Sequence, residues 1–187
     1  LYIQNKQLFV LPQPFYQQQS DKYEQIYFTN SSTIAMAYCK FDKNSGHYGG
    51  ALYTMLISKL IITNSSFVMN KGTYGAAIAI IQCVTAIMTY VTLAEHRDIY
   101  RGTIYSDQVV RLTLSNSQLL DNIAGFYENS EHNQGIGLNC FKCMQLQIQN
   151  SKFDQNRQQY LHFFSQDNIV SHGGAIFSST GQNITIY

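Results

Sequence analysis

Asn64-Ser-Ser-Phe67-Val-Met-Asn70-Lys-Gly72-Thr-Tyr-Gly75-Ala-Ala-Ile78 is the stretch that decides the fold. It holds one large aromatic (Phe67), an amide three residues on (Asn70), a glycine turn (Gly72, Gly75) and two alanines leading into an aliphatic (Ile78). Variants of it return along the 187-residue chain at a fixed period. Stepping by 26 residues through Phe67 lands on Phe15, Phe41, Leu93 and Leu119. Three residues beyond these anchors stand Gln18, Asn44, Asn70, His96 and Asn122; eleven beyond stand Ile26, Leu52, Ile78 and Ile104. A period of this length marks a stack of supersecondary units, and it outranks local propensity.

The other half of the repeat keeps its length throughout. From each aliphatic the next anchor lies 15 residues on: Ile26 to Phe41, Leu52 to Phe67, Ile78 to Leu93, Ile104 to Leu119 and Leu138 to Phe153. Eight and ten residues after each aliphatic come paired apolar positions: Ile34 and Met36, Leu60 and Ile62, Ala86 and Met88, Leu112 and Leu114, Leu146 and Ile148, Ile184 and Ile186. Alternation of period two is a strand signal. Each unit therefore reads as three short strands: one at the aliphatic, one at the paired apolar residues, one at the Phe/Leu anchor. A unit of about 26 residues cannot bury its apolar face alone, so units stack with each strand pairing in parallel about 4.8 Å from its equivalents. Gly49, Gly50, Gly75, Gly173 and Gly174 precede the first strand, where the chain turns tightly.

The pattern Phe-x-x-Asn followed by Gly-Gly-Ala-Ile resembles the repeat of pectin-lyase-like and polymorphic outer-membrane-protein-type right-handed β-helices. It stands here as Phe41-Asp-Lys-Asn44 with Gly49-Gly-Ala-Leu52, as Phe67-Val-Met-Asn70 with Gly75-Ala-Ala-Ile78, and as Phe153-Asp-Gln-Asn156 with Gly173-Gly-Ala-Ile176. Weaker copies run from Leu93 to Ile104 and from Leu119 to Leu138. The expected fold is all-β: a right-handed, single-stranded parallel β-helix, one solenoid segment over residues 1–187 with about six coils of about 26 residues, an internal fragment of a longer chain. The resemblance implies a fold shared by adhesins, structural stalks and polysaccharide enzymes alike, so activity must be argued from sites.

Charged residues are only 12% of the chain and the net charge is +1, which gives no electrostatic footprint for nucleic acid. Polarity is carried by 19 Gln and 14 Asn. That bias fits an AT-rich protist genome, and it also fits amide stacking in repetitive β structure. The most apolar run, from Gly75 to Leu93, is broken by Gln82, Thr85 and Thr89, so no membrane-spanning segment is expected.

Candidate sites follow the repeat. Asn44, Asn70, Asn122 and Asn156 share one position and are expected to form a structural ladder. Asn64, Asn116 and Asn150 share a second, interrupted by Tyr38 and Tyr90. Asn30, Asn64 and Asn183 open glycosylation sequons, with Asn30 and Asn183 favoured as the accessible acceptors because Asn64 also falls in the second ladder. Two turns are lengthened, at 123–134 and 157–172, and insertions in a solenoid collect on one face. Their aromatics, Phe126, Tyr127, Tyr160, Phe163 and Phe164, are candidate contacts for a glycan or protein partner, or cover for the flank of the stack.

Catalytic chemistry finds little footing. Asp42 and Asp154 share a repeat position four units apart, beyond the reach of a paired-carboxylate mechanism. Glu95-His96-Arg97-Asp98 reads as a solvated turn, and His47, His132 and His172 are scattered over separate units. Cys140-Phe-Lys-Cys143 lacks the second pair of a zinc site and reads as a local disulfide or as buried thiols; Cys83 and Cys143 share a position but lie too far apart to bridge. No catalytic residue, cofactor or metal is expected. The sequence points to a structural module of an extracellular or cell-surface glycoprotein, its partners being further coils, other subunits or glycans. A carbohydrate-binding or polysaccharide-degrading β-helix and an intracellular scaffold are the alternatives.

Overall fold

A computed structural model describes residues 2–4, 8–10, 15–17, 25–97, 100–124, 135–158, 175–179 and 183–187. Among them there is no helix, and every ladder is parallel. The strands form an 11-stranded sheet, a 6-stranded sheet and two 2-stranded sheets. The architecture is all-β, with parallel sheets curling over a main apolar core and a small second cluster of Ala76, Ala124 and Ile136.

Equivalent residues pair as the period requires. Ile26, Leu52, Ile78, Ile104, Leu138 and Ile176 are successive partners in the large sheet. Ile34, Leu60, Ala86, Leu112, Leu146 and Ile184 pair further along the same sheet. Phe41, Phe67, Leu93, Leu119 and Phe153 line up in the second sheet. These columns supply the core: Ile26, Ile34, Phe41, Leu52, Leu60, Phe67, Ile78, Leu93, Ile104 and Leu119 are fully buried, and the Phe41 and Phe67 rings stack with centroids 4.6 Å apart. Spans 54–63 and 80–89, apolar enough to be confused with buried helix, are strand.

Three expectations are corrected. First, the opening two of the three short strands are not separate in the early tiers, while the anchor strand is. Ile26–Ala37, Leu52–Thr63 and Ile78–Thr89 each run unbroken for 12 residues. The equivalents divide later, into Ile104–Asp107 and Arg111–Ser115, then Leu138–Phe141 and Gln145–Gln149. Second, a further short strand follows the amide position: Ser45–Tyr48 pairs with Lys71–Tyr74, and Ile123–Ala124 pairs with Arg157–Gln158. Third, Phe15 does not pair with Phe41. Phe15 faces Cys39 and Gln17 faces Phe41, a step of 24. A two-residue shift leaves the parity of alternation unchanged, so a hydrophobic period does not detect it.

What turns the chain is a repeated backbone conformation that the sequence hides. Asn30, Leu56, Gln82, Gln108 and Lys142 occupy one corner, each with φ between 52° and 56°. Tyr38, Asn64, Tyr90, Asn116 and Asn150 occupy a second corner, and Lys43, Met69, Glu95, Asp121 and Gln155 a third, all left-handed. A non-glycine residue in this region costs about 1–2 kcal/mol, yet fifteen described residues adopt it. The compensation is hydrogen bonding. The corner residue bends the strand while its own N–H still reaches the next tier: Tyr38 N–H donates to Thr63 O (3.1 Å), Lys43 N–H to Val68 O (3.0 Å) and Asn64 N–H to Thr89 O (3.1 Å). The fourth turn uses glycine. Gly49 (φ 60°) and Gly75 (φ 72°) leave no room for a Cβ, which at Gly75 would run into the Ile78 carbonyl.

Two substitutions separate core from corner. Phe67→Ala is expected to lower unfolding free energy by about 3–5 kcal/mol, as for a buried aromatic truncation. Met69→Asn, at an exposed left-handed corner (φ 53°), is expected to raise it by up to about 1 kcal/mol, because Asn tolerates that conformation. Denaturant titration of both variants checks the pair.

Candidate functional site

Asn44, Asn70 and Asn122 are buried and Asn156 is half-buried, and these amides bond between tiers. Asn70 Oδ1 accepts from the Asn44 backbone N–H (2.8 Å) and from Asn44 Nδ2 (3.0 Å), while Asn70 Nδ2 donates to the Phe41 carbonyl (3.1 Å). Asn122 Nδ2 donates to Asn156 Oδ1 (2.7 Å) and to Leu93 O (3.3 Å); Asn156 Nδ2 donates to Leu119 O (2.9 Å). Every one of these bonds crosses from one tier to a neighbouring tier, so the amides tie the stack together along its axis.

His96 fills the missing place between Asn70 and Asn122. Its Nδ1 accepts from the Asn70 N–H (2.9 Å), and its own N–H donates to Asn122 Oδ1 (3.1 Å). His96 is fully buried, so the solvated-turn expectation for Glu95–Arg97 is corrected: Glu95 is exposed, His96 is an internal rung, and Arg97 Nη1 donates to the His96 (3.0 Å) and Asp121 (2.8 Å) carbonyls. Asp98 lies outside the described residues. An accepting Nδ1 places the ring proton on Nε2, which is buried without a hydrogen-bond partner among the described residues. Burial holds the His96 pKa down to about 3, against the Asn70 backbone, with the Arg97 charge adding to the depression and the Phe67 backbone opposing it weakly.

At the second corner a hydroxyl column does similar work. Ser65 Oγ accepts from the Cys39 N–H (3.0 Å) and donates to Thr63 O (2.7 Å); Ser117 Oγ accepts from the Val91 N–H (3.0 Å) and donates to Ser115 O (2.8 Å). The ladder position at this corner is therefore the serine, one residue after the asparagine. Asn64, Asn116 and Asn150 are exposed, which overturns the inward placement that disfavoured Asn64 as an acceptor. Asn30 and Asn183 are exposed as well.

Cys140 and Cys143 form a disulfide across the left-handed corner at Lys142, and both are buried. Cys39 and Cys83 are free thiols in the core; burial raises both, Cys83 to about 11. Burial thus disfavours the thiolate at both.

The outer face of the first strand carries a feature that the repeat analysis did not single out. Tyr27, Tyr53, Ala79, Tyr105, Asn139 and Phe177 are successive partners there. Tyr27 and Tyr53 stack at 4.7 Å. Across the glycine turn Tyr48 and Tyr74 stack at 4.7 Å, and Tyr48 meets Tyr53 at 5.8 Å. Tyr74 also makes edge contacts with Tyr100 (5.8 Å) and Tyr105 (5.4 Å), and Arg101 sits 5.6 Å from the Tyr74 and Tyr100 ring centres. His47 packs edge-on against Tyr48 and Tyr74. Burial and the nearby Asp107 push Tyr105 up to about 12, and burial raises Asp107 too, against Lys142 and Arg101. The result is a half-buried aromatic cluster with Arg101 against its rings and Asp107 beside Tyr105, and among the described residues no second carboxylate acts on Tyr105. The period carries these residues too: Tyr27, Tyr53 and Tyr105 fall in one column at multiples of 26, and Tyr48, Tyr74 and Tyr100 in another, but both columns lie beside the apolar and amide columns that the repeat analysis followed.

The loop aromatics Phe126, Tyr127, Tyr160, Phe163 and Phe164, together with His132 and His172, lie outside the described residues. No family model, curated protein or solved structure matches the chain.

His96 makes stability depend on pH. Its folded pKa, about 3, lies below the ordinary 6.5. The unfolded chain therefore binds the proton first. The contribution is complete above the ordinary value and falls as pH drops through the window between the two, by on the order of 1 kcal/mol per pH unit. In His96→Asn, which restores an amide rung, unfolding free energy should fall less between pH 7 and pH 5 than in the parent chain, as read by denaturant titration.

Proposed function

We propose that the chain is a segment of right-handed parallel β-helix, about six tiers of about 26 residues, serving as a non-catalytic structural module of an extracellular or cell-surface protein. One observation carries this: main-chain pairing at constant register from Ile26 through Ile176, with columns of like residues above one another. Such a stack is stiff, because each tier is bonded along its length to both neighbours. Further coils of the same chain or other subunits would continue the pairing.

The Cys140–Cys143 disulfide supports the location, since such bonds persist in oxidising compartments, and it counts against an intracellular scaffold. Asp42 and Asp154 are separated in register by Val68, Ala94 and Leu120. That is about 19 Å at the stacking distance, against roughly 5–9.5 Å for paired glycosidase carboxylates. A second reading, binding of a glycan or protein, is favoured by the tyrosine face around Tyr48, Tyr53, Tyr74 and Arg101. Aromatic residues and arginine dominate contact surfaces.

The secreted chain, incubated with neutral and acidic polysaccharides, should release no reducing or unsaturated ends; release of either overturns the structural reading in favour of an enzyme. Thiol labelling of the same material should mark no cysteine in the folded state. It should mark Cys39 and Cys83 on unfolding, and Cys140 and Cys143 only after reduction. Labelling of all four on unfolding without reductant would count against the compartment.

A further inference from the structure

The second corner holds an unexplained pair of residues. Tyr38 and Tyr90 are large, 60% and 58% exposed, and held in the left-handed conformation that aromatic side chains rarely adopt. Between them in the stack stands Asn64. Tyr38 N–H donates to Thr63 O, Asn64 N–H to Thr89 O and Tyr90 N–H to Ser115 O, so the three corners superpose, about 4.8 Å from tier to tier. Asn64 opens the sequon Asn64-Ser65-Ser66. Its middle residue is fixed inward: Ser65 Oγ is bonded to Cys39 N–H and Thr63 O. That anchor leaves Asn64 exposed between two exposed rings. The other described sequons lack this setting: Asn30 has Leu56 as its corner neighbour, and Asn183 pairs with Gln145.

We propose that Asn64 carries an N-linked glycan whose first sugar packs between Tyr38 and Tyr90. The reading rests on the extracellular location proposed above. In the transfer, the Asn64 carboxamide nitrogen bonds to the anomeric carbon of an oligosaccharide carried on a polyprenyl diphosphate. The anomeric carbon–oxygen bond breaks, the lipid diphosphate leaves with the electron pair, the amide gives up one proton, and nothing is oxidised or reduced. The two rings present apolar faces to the C–H face of the sugar. The same contact accounts for tyrosine at a corner whose other residues are asparagine.

The test uses the full chain secreted from a eukaryotic cell. Peptide mass spectrometry, before and after enzymatic removal of N-glycans, is expected to find Asn64 modified, and Asn64→Gln to remove that sugar. Deglycosylation should lower the melting temperature of the parent by about 2–4 °C, the shift of a modest contact in a chain of this size, and should leave the Tyr38→Ser/Tyr90→Ser double variant unchanged. Asn64 unmodified while Cys140 and Cys143 are bonded overturns the site and leaves the location standing. An equal melting shift with and without the tyrosines overturns the packing. Absence of sugar at every sequon, with Cys140 and Cys143 reduced, overturns the location and the site with it.

Discussion

Main-chain hydrogen bonding between equivalent residues of successive tiers is the constraint on which everything else depends. A strand buried on one face and paired on both edges must begin, bend and end where its neighbours do. Corners are therefore forced into columns. Once a column exists, one backbone conformation has to serve whatever residue falls there, which is why Leu56 and Met69 share left-handed geometry with Asn30 and Asp121. The local cost of about 1–2 kcal/mol at such a corner is offset because the alternative loses a ladder hydrogen bond and displaces the tiers on both sides.

Apolar packing alone would not hold this register. The inward columns alternate with period two, and a slip of two residues preserves that alternation. Polar columns discriminate where apolar ones do not. Asn70 reaches Asn44 and the Phe41 carbonyl only if Phe67 lies under Phe41, and Ser65 meets Cys39 only at the same offset. Buried, satisfied networks of this kind specify one arrangement among several of similar hydrophobic energy. His96 shows the tolerance of the design: an imidazole nitrogen replaces the amide oxygen as acceptor, at the expense of a buried Nε2 proton without a partner among the described residues.

The inside of the stack is occupied with its own geometry, so specificity belongs to the outside. Two features lie outside the apolar and amide columns. The tyrosine face around Tyr53 and Tyr74 gathers aromatic rings and Arg101 across a glycine turn, and the Tyr38–Asn64–Tyr90 corner frames a sequon. The first repeats tyrosine within its own columns, whereas the second arises where Tyr38 and Tyr90 leave the asparagine of theirs.

Much of this was legible in the chain itself. The columns through Ile26, Ile34 and Phe41 and the Asn44–Asn156 ladder follow from a period and an alternation, because stacking converts sequence separation directly into spatial neighbourhood. Parallel all-β architecture follows from the same arithmetic. What the sequence did not disclose has a common cause: it depends on dihedral angles or on contacts between different steps of the repeat. The left-handed corners at Leu56, Met69 and Gln82 carry no propensity signal, since the pairing imposes them. The exchange of Asn64 for Ser65 as the inward residue turns on one such corner, which advances the side-chain alternation by one position. The pairing of Phe15 with Cys39, the burial of His96 and the meeting of Tyr48 with Tyr53 likewise appear only once turns have definite lengths and tiers have definite heights. The sequence by itself determined which residues stack; the tertiary structure decided which way each corner faces, because facing is set by backbone angles that only the assembled ladder selects.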